Sequence, residues 1–209
     1  MLLKTESLKN LLTKKDMSSQ NILDEVWTGK GSIFSLIPHD QFAQCTWTDL
    51  DKVKYAVLSY QWRTHWHDIL NFIFDPRNGV KVDFIWIDVF CLNQLDGNRM
   101  ATIRRSDEIY YHAHEYHLIE LGSVFRGWIL FELASAREGV LPIVHKSNKD
   151  KKRVKSLLDD FDENGFEGSE FTKHQDKELV RNKIIEKHKS VKDFDRKVWK
   201  IIHDVLKTT

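Results

Sequence analysis

Three signals that would assign this chain to a well-defined class are missing from its sequence. Its two cysteines, Cys45 and Cys91, are too few for a disulfide framework and too far apart for a CxxC metal or redox pair. The 32 basic and 31 acidic residues leave a net charge of +1, which favours neither nucleic acid nor an anionic membrane. No apolar run approaches the roughly 18 residues of a membrane span, and the N-terminus lacks the apolar core of a signal peptide. We therefore expect a cytoplasmic protein in a reducing compartment, with no nucleic-acid partner and no membrane partner.

Motifs of several enzyme classes are missing as well. The chain contains neither a GxGxxG sequence nor a P-loop, so it predicts neither a dehydrogenase nor a nucleoside triphosphatase. Three histidines, at His112, His114 and His117, cross from a predicted helix end into a strand, so their side chains diverge and we expect no metal site. Cys91 has no base close to it in sequence, and we do not expect it to be a nucleophile.

The composition is that of a globular domain. Of the 209 residues, 41% are hydrophobic and 30% are charged, and this length fits one domain with an extension. We expect residues 1–30 to be an N-terminal helical extension and linker, with a short leucine-rich helix inside residues 1–20. Residues 31–209 are then expected to form one α/β domain.

Apolar segments of strand and helix character alternate through the middle of the chain. This alternation predicts βαβ crossovers and a mainly parallel central sheet. The predicted strands are 55–59, 84–89, 116–121 and 140–144, and the predicted helices between them are 65–74, 100–113 and 127–137. Extra C-terminal helices are predicted within residues 150–206, and the last of them, 191–206, carries an apolar stripe of Phe194, Val198, Ile201, Ile202 and Val205.

The strand ends select the candidate ligand-binding segments. In an open parallel sheet, ligands bind at the carboxyl ends of the strands. That rule selects residues 59–63 after the first predicted strand, 88–94 after the second and 122–127 after the third.

Four blocks of sequence in this region resemble one family of domains. They are YAVLSYQW, IWIDVFCLNQ, EIYYHAHEYHLIELG and RGWILFELASA, and they lie within residues 51–145. In this order they resemble the fungal heterokaryon-incompatibility (HET) domain and the TIR domain. In those domains the first strand ends in Ser and an aromatic residue, the middle strand carries an Ile-Asp pair, and a helix shows W-x-x-x-E-L. The resemblance implies a flavodoxin-like three-layer α/β fold.

The resemblance also implies a catalytic residue. The W-x-x-x-E glutamate of catalytic TIR domains is required for NAD cleavage, and Glu132 occupies that place, with Trp128 on the same helix face. Breaking the nicotinamide–ribose bond develops oxocarbenium character, which a carboxylate stabilises. NAD would be the substrate, and no cofactor is implied. From the helix alone, a solvated Glu132 and a core Trp128 are the favoured interpretation, and only the ordered motifs make catalysis equally open.

The other candidate residues would bind substrate. An aromatic ring stacks on a nicotinamide or adenine, an Arg pairs with a pyrophosphate, and carboxylate or amide groups bond ribose or carboxamide. Arg63 stands where the plainest HET pattern has Gly. Local packing of the aromatic residues, and a buried Asp that ties loops together, remain open. The candidate substrate-binding residues are Ser59, Tyr60, Gln61, Trp62, Arg63, Asp88, Asn93 and Trp128.

These observations lead to one functional hypothesis and two alternatives. The hypothesis is an NAD glycohydrolase of immune or antiviral defence and cell-death signalling, which releases linear or cyclic ADP-ribose and is activated by self-association or by an upstream sensor protein. A non-catalytic TIR-like interaction and assembly module is the first alternative. The second is an enzyme similar to nucleoside deoxyribosyltransferases, which would consume nucleosides rather than NAD.

Overall fold

The computed structural model describes residues 1–11, 18–27, 37–92, 99–146, 151–171 and 174–208. Six strands within these residues form one mixed sheet. The strands are β1 (Leu2–Lys4), β2 (Phe42–Ala43), β3 (Tyr55–Ser59), β4 (Phe84–Trp86), β5 (Glu115–Glu120) and β6 (Ile143–Lys146).

Helices connect and cover these strands. The α-helices are α1 (Ser19–Trp27), α2 (Trp66–Ile73), α3 (Asp88–Cys91), α4 (Arg99–Arg104), α5 (Ser106–His112), α6 (Gly127–Ser135), α7 (Lys151–Asn164), α8 (His174–His188) and α9 (Val191–Thr208). Within the described ranges, none of these helices has the length and apolarity that crossing a membrane requires.

The sheet is mixed but mostly parallel. Its strand order is β2-β1-β4-β3-β5-β6, in which β4, β3, β5 and β6 are parallel and β1 runs antiparallel to both of its neighbours. The predicted α/β class with a mainly parallel sheet is therefore confirmed, and the arrangement is compatible with a three-layer α/β fold. The chain passes from β3 to one side of it to form β4, then crosses over to form β5 on the other side. The strand order consequently reverses between β3 and β5, which is where ligands of open α/β sheets bind.

The two faces of the sheet carry different side chains. Successive residues of a strand point to opposite faces. The Tyr116 hydroxyl lies 2.9 Å from the Ser59 hydroxyl, on the face that α5 and α6 cover. The next residue, His117, points to the opposite face, where its Nδ1 lies 2.9 Å from His145 Nε2, and the His145 ring lies beside Phe72 of α2.

The helix predicted inside residues 1–20 is wrong for the described N-terminal residues. Leu2–Lys4 is a strand between β2 and β4, and a 3-10 helix follows at Thr5–Leu11. Leu2, Leu3 and Leu8 are fully buried. The predicted apolar residues therefore do belong to the core, but as part of a strand and a 3-10 helix rather than of one α-helix. Three-residue strands bury adjacent leucines without the alternation that identifies longer strands.

Three other predicted boundaries shift. The strand predicted at 84–89 ends at Trp86, because Asp88–Cys91 forms a helical turn. The strand predicted at 140–144 lies at Ile143–Lys146, and the helix predicted at 100–113 divides into α4 and α5 around Arg105.

The predicted C-terminal helix is confirmed and belongs to the core. In α9 the side chains of Phe194, Val198, Ile202 and Val205 are at most 2% exposed, and α9 packs on α6. Of the predicted stripe, only Ile201 is partly rather than fully buried.

Candidate active site

The start of α6 is fixed by a close backbone approach. The Gly127 N–H donates to the Glu170 carbonyl oxygen at 3.0 Å, so the segment after α7 closes over the first turn of α6. A Cβ at Gly127 would lie 1.9 Å from the Phe171 ring, which explains why this position carries glycine. The aromatic rings of Phe166 and Phe194 continue this contact towards α9.

The remainder of α6 is held by apolar burial and two lysines. Phe131, on this helix, is fully buried, and Lys183 of α8 lies over its ring at 5.0 Å. Lys197 of α9 donates to the Ala134 carbonyl oxygen at 2.5 Å, which satisfies a backbone acceptor in the last turn. These contacts with α8 and α9 hold α6 in place, and the Glu132 side chain of this helix reaches the end of β3.

Glu132 meets the end of β3 directly. The Ser59 hydroxyl donates to Glu132 Oε2 at 2.5 Å, and the Tyr110 side chain of α5 interacts with the same carboxylate. Since the single proton of Ser59 goes to Glu132, the Tyr116 hydroxyl donates to Ser59 at 2.9 Å. The result is a chain of hydroxyl donors that ends on one carboxylate, at the edge of the sheet where the strand order reverses.

The surroundings of Glu132 favour its neutral form. Burial raises the pKa of Glu132 to about 8; the nearby charge of Asp88 adds to the rise, and the hydrogen bonds from Ser59 and Tyr110 oppose it. Glu132 as a whole residue is partly buried, whereas Ser59 is 2% exposed. The carboxyl group of Glu132 is therefore largely desolvated and lies on a buried hydroxyl network.

Asp88 forms a second carboxylate cluster beside the first. Its Oδ1 accepts hydrogen bonds from the Tyr60 hydroxyl at 2.9 Å and from the Val89 N–H at 2.7 Å, and its Oδ2 accepts from Trp62 Nε1 at 2.6 Å. Burial raises the pKa of Asp88, while these three hydrogen bonds lower it. Asp88 lies here because β4 ends two residues earlier, at the same sheet edge as β3.

The N-terminal part of α1 closes this cluster from outside. The buried Ser19 hydroxyl lies 2.7 Å from the Tyr60 hydroxyl, and the Gln20 N–H donates to the Trp62 carbonyl oxygen at 3.0 Å. Ser18 forms an isolated bridge with His65 on the same loop. The loop after β3 is therefore held from both sides, by Asp88 and by α1.

The residues predicted for the site divide into three groups. Ser59, Tyr60, Trp62, Asp88 and Glu132 form the two adjoining hydrogen-bonded clusters. Gln61 is partly exposed and Arg63 exposed on the same loop. Trp128 directs its indole N–H to Asp176 Oδ2 of α8 at 3.5 Å, and Asn93 lies outside the described residues.

Three residues of the site were not predicted from the sequence. Tyr110 interacts with Glu132, Tyr116 hydrogen-bonds Ser59, and Ser19 hydrogen-bonds Tyr60. A tyrosine at a buried helix or strand position is usually core, so no local signal identified the first two. The one available signal is that a buried tyrosine hydroxyl needs a hydrogen-bond partner, and a polar residue at a strand end can be that partner.

A metal site and a separate cavity are the other possible sites in the described part of the chain, and both have less support. No group of three or more His, Cys, Asp or Glu side chains there is arranged to hold a metal ion. A cavity of about 160 Å³ is lined by Leu2, Cys45, Trp47, Leu50, Trp86, Cys91 and neighbouring residues. Neither Glu132 nor Asp88 lines this cavity.

Comparison of this chain with protein-family models, with curated proteins and with solved structures finds no match.

Proposed function

We propose that this protein is a TIR/HET-like NAD glycohydrolase with a flavodoxin-like fold. The observation that carries the proposal is the contact between Glu132 and Ser59 at the carboxyl edge of the sheet. The parallel strands follow the order 2-1-3-4 when numbered among themselves, which is the beginning of the flavodoxin-like order. The four sequence blocks that resemble TIR and HET domains supply the residues of both carboxylate clusters.

The reaction requires a negative charge and no acid. When the bond between C1′ of the ribose and the nicotinamide nitrogen breaks, its electron pair neutralises the pyridinium nitrogen, and nicotinamide leaves without a proton. Positive charge then develops on the ribose, and a carboxylate a few ångströms away stabilises it. Water attacks C1′ and loses one proton to give linear ADP-ribose; attack by an adenine nitrogen of the same molecule gives a cyclic product.

Glu132 is suited to this step only when it is ionised. With a pKa of about 8, about a tenth of the empty site is ionised at pH 7. The cationic nicotinamide–ribose unit of NAD favours the ionised form, because an opposite charge lowers the pKa of a carboxyl group. The donors Ser59 and Tyr110 stabilise the same form, and the surrounding desolvation strengthens the attraction between Glu132 and the substrate.

The loop after β3 would hold the rest of the substrate. Trp62 offers a partly exposed indole for stacking on a flat ring, and Arg63 is an exposed guanidinium suited to a pyrophosphate. We propose that the enzyme acts in the cytoplasm in immune defence or cell-death signalling, and that self-association or an upstream sensor protein activates it.

The test is product analysis with purified protein at high concentration and with a crowding agent. Incubation with NAD should release equal amounts of nicotinamide and of linear or cyclic ADP-ribose. A parallel incubation with nucleosides should leave them intact. Cleavage of nucleosides but not NAD would favour the deoxyribosyltransferase-like alternative, and no cleavage of either would favour a non-catalytic assembly module.

A further inference from the structure

We propose that Asp88 is a positioning residue that holds the Trp62 indole at the edge of the Glu132 site, and does not itself touch the substrate. This inference rests on the proposed function, and it assigns to Asp88 a different task from the ribose contact that the sequence predicts. The inference follows from the hydrogen bonds that both carboxylate oxygens of Asp88 accept.

Both oxygens of Asp88 are engaged by donors from its own protein. The Trp62 Nε1–H bond is short at 2.6 Å, and Tyr60 and Val89 share the other oxygen at 2.9 and 2.7 Å. Hydrogen bonds that end on an ionised acceptor are among the stronger ones in proteins. The protein's own donors thus take three of the roughly four acceptor positions of this carboxylate, and both of its oxygens are used to hold the loop after β3.

The arrangement gives Trp62 a defined orientation on a loop. Indole has one donor, and that donor is fixed on Asp88, so the plane of the ring is set while part of its surface stays exposed. The Gln20 N–H holds the Trp62 backbone through its carbonyl oxygen, so both ends of the residue are tethered. A loop that would otherwise fluctuate thereby presents a preorganised stacking surface.

The charge of Asp88 also acts on Glu132. The groups that face Asp88 come from four elements: Tyr60 and Trp62 from the loop after β3, Glu132 from α6, Tyr110 from α5, and Cys91 from its own helix. Asp88 raises the pKa of Glu132, so removing its charge lowers that pKa.

A double-mutant cycle tests whether Asp88 affects NAD binding through Trp62. Asp88→Asn keeps the shape of the side chain and removes the charge that holds the indole. We expect it to raise KM for NAD about tenfold and to change kcat less than about threefold, because stacking is lost while the reacting atoms keep Glu132. In a Trp62→Phe background, Asp88→Asn should change KM by less than about a further twofold, since both substitutions break the same contact between Trp62 and Asp88.

Spectra of the free protein test the same inference without turnover. With the indole nitrogens labelled with ¹⁵N, the Trp62 resonance is assigned by its loss in Trp62→Phe. We expect it to move upfield in Asp88→Asn and to exchange its proton with solvent faster, whereas the other tryptophan resonances stay in place. The ¹³C titration of Glu132 should shift to lower pH in the same variant.

The outcomes separate this inference from the proposed function. Without NAD cleavage by the wild type the proposed function fails, and the indole spectra still decide whether Asp88 holds Trp62. An unchanged Trp62 resonance in folded Asp88→Asn overturns the inference. A large loss of kcat with unchanged KM also overturns it, because Asp88 would then act at the reacting atoms. If Asp88→Asn does not fold, Trp62→Phe must itself raise KM about tenfold, and a normal KM overturns the inference.

Discussion

The Ser59 hydroxyl donates a hydrogen bond to Glu132 over 2.5 Å, although 73 residues separate the two in the chain. Ser59 is the last residue of β3, and Glu132 lies in the second turn of α6. Their contact places an ionisable carboxyl group where the strand order reverses.

The pH dependence of NAD cleavage should follow the ionisation of Glu132. Its pKa is raised to about 8 by burial, and only the ionised form stabilises a developing positive charge. We therefore expect kcat/KM, which reports the free enzyme, to rise about tenfold per pH unit below about pH 8 and to level off above it. Initial rates at low NAD concentration between pH 5.5 and 9.5 measure this. A profile that falls through the same range would assign Glu132 the role of an acid.

Ser59→Ala should move that profile to higher pH. The hydrogen bond from Ser59 lowers the pKa of Glu132, so its removal raises the pKa further and leaves less ionised enzyme at pH 7. A lost hydrogen bond to a charged group corresponds to about a tenfold lower kcat/KM at pH 7, with recovery at high pH. Ser135→Ala is a matched control, because Ser135 bonds only a backbone oxygen of the same helix, Phe131 O. An identical shift in both variants would contradict the assignment.

A buried ion pair beneath α6 should be essential for stability. Asp107 is 4% exposed, and its carboxylate accepts hydrogen bonds from Lys183 Nζ at 2.5 Å and from Lys187. Burial alone would raise the pKa of Asp107, but the two lysines more than offset burial, so the pKa is lowered. Asp107→Ala leaves Lys183 buried without this partner, so it should reduce the free energy of unfolding by about 3–5 kcal/mol. Urea denaturation measures this loss. The exposed pair of Glu6 and Lys9 provides the contrast, since Glu6→Ala should change stability little.

Removal of α9 should prevent stable folding. Truncation before Val191 exposes the α6 surface that Phe194 and Val198, both fully buried, cover. Each such side chain contributes roughly 1.5–3 kcal/mol on burial, so the truncated chain should be insoluble or unfolded by circular dichroism. Phe194→Ala alone should cost about 3–5 kcal/mol, whereas the partly exposed Trp199 should tolerate Ala. A truncated protein with the melting temperature of the full chain would refute this.

The sequence predicts the central strands well because their signal is local. Tyr55–Ser59 and Glu115–Glu120 are short apolar runs between polar segments, and both lie within one residue of their predicted positions. The N-terminal strand at Leu2–Lys4 exists only because β4 and β2 pair with it, so nothing in its three residues could identify it. Strands of this length are determined by tertiary pairing rather than by propensity.

The sequence predicts most of the residues of the site but not the contacts between them. Strand-end reasoning selects Ser59 and Asp88, and the family resemblance selects Glu132. Which of them touch depends on how α5 and α6 pack on the sheet, and Tyr110 and Tyr116 enter the site through that packing alone. The elevated pKa of Glu132 is likewise a property of burial, which residue spacing does not give.

The most direct test of the account compares NAD cleavage by the wild type and by Glu132→Gln at pH 8. Glutamine keeps the shape of the side chain and its hydrogen bond with Ser59 but carries no charge. Loss of a transition-state charge contact lowers kcat by on the order of 10²–10³. Glu138→Gln, at an exposed position just after α6, is the control and should retain full activity. We expect Glu132→Gln to fold, with the circular dichroism and melting behaviour of a native domain, and to lose at least about a hundredfold in kcat. Undiminished NAD cleavage by that folded variant would rule out Glu132 as the catalytic carboxylate.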